Sequence, residues 1–265
     1  MDPASLIGLV VAFGVLFGVI VLDGANVASI FLPGPLLLVF GASIAVTIAS
    51  STLPDTVAAF KALPKVFTGR VTRPGEVIDD LVRLAETARR DGVLALEQEA
   101  DRLSDPFLSS SLRNVADGMD SEELRMLMED EIDSTTRGGS VAARFFTTMG
   151  GYAPTIGIIG TVVSLTHVLE NLSDPQHLGG SIAAAFVATL WGVLSANFIW
   201  IPIGNRLARM NELETERMML ILEGLMGIQS GAQPRILGER LRALVVTREV
   251  KGRTAPGVAA VAEEP

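Results

Sequence analysis

The chain alternates between long apolar runs and charged runs with helical patterning. Four stretches, at about 4–22, 34–52, 148–169 and 182–203, contain no Lys, Arg, Asp or Glu. Each is about 20 residues long, which is what a helix needs to cross the hydrocarbon of a bilayer. The first lacks the positive leading segment and the small-residue cleavage site of a secretory signal peptide, so it reads as a span. The first two runs are joined by a link of about ten residues and form a helical hairpin over 1–52. The last two form a second pair over 148–204, joined by the polar turn that starts at Glu170.

Between the pairs lies a different kind of sequence. Residues 53–147 carry 12 Lys and Arg and many acids. In 74–91, Val77, Ile78, Leu81, Leu84, Ala85 and Ala88 recur on one side, the pattern of an amphipathic helix. Pro74 suits its start and Gly92 its stop. Further helices are expected over about 93–103, over 106–116 and from Ser121. In the last of these Leu124, Leu127, Met128 and Ile132 face one way and the acids the other. No alternation of period two argues for a strand. After the fourth span, Leu207, Met210, Leu213, Met218, Ile221, Leu222 and Leu225 mark another amphipathic helix, whose charges, Arg217 among them, point to water. Residues 205–252 are read as a cytoplasmic C-terminal helical region and 253–265 as a disordered tail. Pro202, at the inner end of the fourth span, is expected to kink or break the helix. The fold class expected is all-α: an integral membrane protein with four transmembrane helices (2+2) and a helical cytoplasmic domain between spans 2 and 3.

Composition sharpens this. The 265 residues are 49% hydrophobic and 19% charged, with a mean hydropathy of +0.43. The two facts agree because the charges are segregated: all 21 Lys and Arg lie in 53–147 or 204–265. Positive charge marks the cytoplasmic side, so both termini and the insert are placed on the cytoplasmic side of the membrane. A net charge of −9 argues against a nucleic-acid surface. With no Cys there is neither a disulfide framework nor a thiolate metal site. The two His residues, His167 and His177, read as the polar end of a span and a loop residue rather than as a metal pair. No nucleophile motif, phosphate-binding loop or metal cluster marks an enzyme.

In the second pair the small and polar residues fall on one side of each helix. Pro154, Gly157, Thr161 and Ser164 share a face of the third span, with Ile156, Ile158, Ile159, Val162 and Val163 between them as the bulky residues that suit lipid or a neighbouring helix. Ala185, Ala188, Thr189, Gly192, Ser195 and Ala196 share a face of the fourth. Such stripes let helix backbones approach closely, and they also offer hydroxyls to something polar. Plain helix packing and the lining of an ion path are both consistent with them. No carboxylate lies within any span, and hydroxyls alone do not relay protons at neutral pH. If the pair lines an ion path, the titrating group comes from another chain. His167 is the one internal candidate, and its place near the outer end of the third span marks it as a mouth residue.

Three motifs carry a resemblance. Ala185-Phe-Val-Ala-Thr-Leu-Trp-Gly-Val-Leu, then seven more residues and Pro202, resembles the fourth-helix signature of the flagellar-motor stator A subunits (the MotA/PomA family, within the wider MotA/TolQ/ExbB proton-channel family). Tyr152-Ala-Pro-Thr-Ile-Gly-Ile-Ile-Gly-Thr161 is similar to that family's third helix, and Ala88-Arg-Arg-Asp-Gly-Val-Leu-Ala-Leu-Glu97 to its cytoplasmic insert.

The resemblance implies a subunit that, with a membrane B subunit (MotB/PomB type) supplying an ion-carrying Asp, forms a proton or sodium channel and turns ion-motive force into torque for motility and chemotaxis. It implies five copies around two of the B subunit. It gives Thr161 and Thr189 pore-facing positions, with Ser164, Gly157 and Ala185 on the same ion path. Pro154 and Pro202 take the part of coupling prolines. Arg89, Arg90 and Glu97 take that of contacts to the rotor's switch complex, although without the resemblance a solvated helix face is the preferred account of these charges. No cofactor is implied beyond the transported H+ or Na+. A Thr at 161 resembles the sodium-driven members, while Ser164 departs from the Gly usual there. Two other readings remain: an ExbB/TolQ-like energiser of outer-membrane processes, which would have three spans, and a non-conducting membrane scaffold.

Overall fold

A computed structural model describes residues 4–69, 73–172 and 175–245, and among them every regular element is helical. The first apolar run is α1, Ala4–Leu22. A 3-10 turn, Val27–Ile30, follows, capped by Asn26, whose side chain accepts from the Ala28 N–H. The second run is α2, Pro33–Ala49, which starts on a proline and contains a π-helical turn at Leu37–Gly41. It ends three residues before the expected 52. The Ser50 and Ser51 hydroxyls both donate to the Thr47 carbonyl, at 3.0 and 2.8 Å. Such local bonds compete with continuation of the helix. Thr52 then caps α3, Leu53–Thr68, a helix the sequence reading did not separate from the insert.

The insert helices follow closely. α4 is Pro74–Asp91 and stops where Gly92 takes φ +89°, a left-handed value that glycine adopts without strain. The expected helix over 93–103 is shorter: a 3-10 turn, Val93–Ala95, then α5, Leu96–Ala100. Its end is fixed by the Ser109 hydroxyl, which donates to the Ala100 carbonyl. α6, Pro106–Ala116, is capped by Asp105, which accepts from the Phe107 and Leu108 N–H groups.

α7, Ser121–Glu170, is one helix of 50 residues that passes through Pro154. α8, Pro175–Ser195, leads through a π-helical turn, Ala196–Trp200, into α9, Ile201–Gln229. Of the kink or break expected at Pro202, the break is absent. A proline cannot donate to the carbonyl four residues back and its ring crowds that group. The wider turn just before Pro202 accommodates the missing bond without ending the helix. α10, Pro234–Leu244, closes the described chain.

The chain divides into two compact units. The first takes the described residues up to 69 together with Thr136–Glu212, and so holds α1, α2, α3, α8, the apolar part of α7 and the first turns of α9. One of its clusters joins Val39, Val187, Trp191 and Leu194 to Phe13, Leu16 and Phe198. A second joins Ala59 and Val66 of α3 to Ala142, Phe145, Phe146 and Met149 of α7 and to Ile203 and Leu207 of α9. The second unit takes the described residues of Val71–Thr135 and those from Leu213 onward. Its core includes Ile78, Leu81, Leu84, Leu112, Leu124, Met128, Ile221 and Leu225. Most of the expected amphipathic faces are buried. Leu127 is not: it is exposed beside its buried neighbours Leu124 and Met128.

Candidate ion-path and coupling site

The third and fourth apolar runs, on α7 and on α8 with the start of α9, pack antiparallel along a seam of glycines. A Cβ on Gly157 would come within 2.9 Å of the Ala188 carbonyl oxygen and 3.0 Å of the Gly192 Cα. A Cβ on Gly192 would meet the Ala153 carbonyl oxygen at 2.8 Å. The same register runs from Gly139 against Asn211, through Gly150 against Ile201, to Gly160 against Ala188. The small-residue stripes of the two helices therefore face each other, the close-approach use of such stripes. Ile158, Ile159, Val162 and Val163 point outward, as bulky residues between the stripes should, but Ile156 is buried.

Thr161 and Thr189 meet in this seam. The Thr161 hydroxyl lies 3.1 Å from the Gly157 carbonyl, 2.9 Å from the Ala185 carbonyl and in a short contact with the Thr189 hydroxyl. Four of the five residues expected on an ion path, Gly157, Thr161, Ala185 and Thr189, thus form one cluster. Within it the hydroxyl protons are taken up by oxygens of this chain, and hydroxyl and carbonyl oxygens are concentrated at a half-buried point. Ser164, one turn further along α7, lies elsewhere. It lines a cavity of about 340 Å³ with His167, Ser181, Gly34 and Pro35. His167 is exposed there, 3.8 Å from Glu170 and within reach of Asn171.

Pro154 sits within α7 three residues before Gly157, and Pro202 follows the π turn. That turn is tied into an aromatic chain. Trp200 lies against Phe40, in the other π turn, at 6.0 Å and stacks on Phe146 at 6.5 Å. Phe40 touches Trp191 at 5.7 Å. The Trp191 indole N–H donates to the Ile30 carbonyl, fastening α8 to the link between α1 and α2. Ser43 and Thr47 of α2 are fully buried hydroxyls, and Thr47 donates to the Ser43 carbonyl at 2.7 Å. The sequence reading passed over this pair as part of an apolar run, although their spacing of four places them on one face.

In the second unit Arg89, Arg90 and Glu97 are all exposed, on either side of the 3-10 turn at Val93–Ala95. Arg90 binds Asp91 at 2.8 Å. This hydrogen bond raises the Arg90 pKa and lowers that of Asp91. Arg217, expected in water, is instead largely covered, between Glu214 and Asp105. Burial pulls its pKa down, but the hydrogen bond it donates to Glu214 and the charge of Asp105 outweigh this and raise it above the ordinary arginine value. Among the described residues no cluster of His, Asp and Glu is fit to hold a metal ion.

Residues 99–219 match the MotA/TolQ/ExbB proton channel family and residues 6–92 the Motility protein A N-terminal family. Motility protein A of Treponema phagedenis is 36% identical over 91% of this chain and 93% of its own length. Chemotaxis protein PomA of Vibrio alginolyticus is 31% identical over 91% of this chain and 94% of its own. A solved structure of C. jejuni MotAB superposes with a TM-score of 0.91 at 28% identity, covering 97% of this chain and 100% of the matched one. The chain belongs to the MotA/TolQ/ExbB proton channel family and, within it, to the membrane-embedded stator subunits of the flagellar motor.

Proposed function

We propose that this chain spans the membrane four times, with both termini and the insert inside, and that it forms an ion-driven ring with a B subunit. The observation that supports this best is the Thr161–Thr189 cluster, a concentration of oxygens in spans that carry no carboxylate of their own. A partner that brings an Asp to this depth completes a path that neither chain has alone. The C. jejuni structure is of MotAB, and so pairs the A subunit with a B subunit by name. Five copies of this chain around two of the B subunit is the arrangement carried over from the family resemblance.

In this reading Gly157, Thr161, Ala185 and Thr189 line the path and Ser164 extends it toward the outer side. Pro154 and Pro202 are the points where ion occupancy changes helix geometry. Arg89, Arg90 and Glu97 contact the rotor's switch complex. The energy suffices: one elementary charge crossing about 100 mV releases about 2.3 kcal/mol, and that shifts a two-state ratio about fiftyfold. The ion is a proton or sodium, and the hydroxyl of Thr161 favours sodium, since hard cations take oxygen ligands.

The test is swimming speed against external sodium at fixed pH, in cells that lack their own stators and express this chain with its B subunit. Speed that rises with sodium supports the path and the ligand role of Thr161. Sodium-independent motility abolished by a protonophore makes the ion a proton. An assembled but non-motile pair overturns the torque reading in favour of an energiser of outer-membrane processes.

A further inference from the structure

α3 has two apolar faces, one buried inside the chain and one largely exposed. Thr56, Ala59 and Val66 are buried, the last two against α7 and α9. Leu53, Val57, Phe60 and Phe67 are exposed, at 73%, 51%, 42% and 44%. With Pro64 they recur every three or four residues and so form a single outward stripe. An unbroken exposed apolar stripe of this length calls for an occupant.

The surroundings say which. Three residues separate the end of α2 from the start of α3. It packs on α7 at Ala142–Met149, where the apolar run of that helix begins. It therefore lies at the charged end of the spans. Lys61 and Lys65, two of the chain's three lysines, edge the stripe. Arg144 adjoins Phe145, whose ring touches Phe60 at 5.7 Å. These three cations are exposed and form no ion pair among the described residues. In the second unit, by contrast, Arg83, Arg102, Arg113 and Arg125 all have carboxylate partners. Apolar side chains flanked by long cationic ones that lack protein partners match a phospholipid surface: the stripe in the acyl boundary, the ammonium groups reaching up to phosphate.

We propose that α3 is a lipid-binding element, with its Leu53-to-Phe67 stripe seated in the bilayer interface and Lys61, Lys65 and Arg144 holding anionic phospholipid headgroups. The proposal needs only that the chain is membrane-embedded, and stands apart from the choice of ion and from the rotor contacts.

The chain has no Cys, so nitroxide labels can be placed singly at Val57→Cys and Phe67→Cys. The labelled chain, assembled with its B subunit, is reconstituted into vesicles of phosphatidylcholine alone or with phosphatidylglycerol at 7:3. Collision with oxygen should exceed collision with a water-soluble nickel chelate at both sites. Low collision with both reagents would seat a second copy of the chain on the stripe, and high collision with nickel would leave it in water; either overturns the proposal. Spin-labelled phosphatidylglycerol should associate with the complex at least about threefold more strongly than phosphatidylcholine, since each cation near an anionic surface adds attraction. In Lys61→Gln/Lys65→Gln, with assembly confirmed by size, the ratio should fall toward one. An unchanged ratio would overturn the headgroup role of the lysines.

Discussion

Thr161 shows why a side chain's type did not settle its job. Its oxygen is shared among Gly157, Ala185 and Thr189, so one hydroxyl both packs two helices and concentrates oxygens. Thr161→Val keeps the shape and removes the hydroxyl. A single lost hydrogen bond of this kind costs about 1 kcal/mol, which should leave the complex assembled. Stator torque, measured from the rotation of tethered cells, should drop with Val and be retained with Ser. Full torque with Val would remove Thr161 from the ion path. Arg217 is the opposite case, a residue with a structural job. Its guanidinium binds Asp105, 112 positions away, and Glu214, and Asp105 also caps α6. Arg217→Ala should destabilise the assembled complex by roughly 3 kcal/mol, read as a lower denaturant midpoint. Because the folded pKa is raised, this contribution is present below the ordinary arginine pKa and is lost only above it. The effect of Arg217 itself should therefore be flat across neutral pH. The helical pattern of α9 set Arg217 among charges and pointed it to water; its burial depends on a partner far off in sequence that no local pattern reveals.

At the scale of elements, the helices were legible wherever a local signal governs them. Pro74 and Gly92 bound α4, and Pro106 starts α6, because caps and proline geometry act within a turn. The seam between α7 and α8 was legible as two stripes, since period and residue size are local properties. That the stripes face each other was not, because that is a matter of which helix meets which. The π turns at Leu37–Gly41 and Ala196–Trp200 left no such trace. Pro202 signalled a disturbance, and the packed aromatic chain around Trp200 fixed its form as one wide turn instead of a break. The seam yields a graded prediction. A Cβ on Gly157 meets backbone on the facing helix, so Gly157→Ala must push the helices apart, at about 1–3 kcal/mol. The atoms nearest a Cβ on Gly139 belong to the Asn211 side chain, which can swing aside. Gly157→Ala should lower both the thermal stability of the complex and motility, whereas Gly139→Ala should have a smaller effect on both, since it displaces the Asn211 side chain that donates to the Thr136 carbonyl. Equal effects would show that close backbone approach is not what Gly157 provides.

Over the whole molecule, charge and hydropathy are separated along the chain, and topology follows from that separation. The chain carries a net −9, yet around the inner ends of the spans Lys61, Lys65, Arg137, Arg144, Arg206 and Arg209 face only Asp55 and Glu212 as acids in the same segments. Asp23 and Glu170 stand at the opposite ends. Basic residues are retained on the cytoplasmic side, so the proposed topology puts the link after α1 and the turn after α7 outside. Exposed positions in each place make this measurable: Ala25 and Leu172 on the two outer connections, Leu94 in the insert and Leu244 at the end of α10. With no native Cys to interfere, each is changed singly to Cys in the otherwise intact chain. A membrane-impermeant maleimide applied to intact spheroplasts should label Ala25→Cys and Leu172→Cys. Leu94→Cys and Leu244→Cys should react only after the membrane is opened. Labelling of Leu94→Cys in sealed cells would invert the topology and place the Arg89, Arg90 and Glu97 surface out of reach of any cytoplasmic rotor. Labelling of Leu244→Cys alone would mean that the α8–α9 run does not return to the inside, and the second pair of spans would be lost.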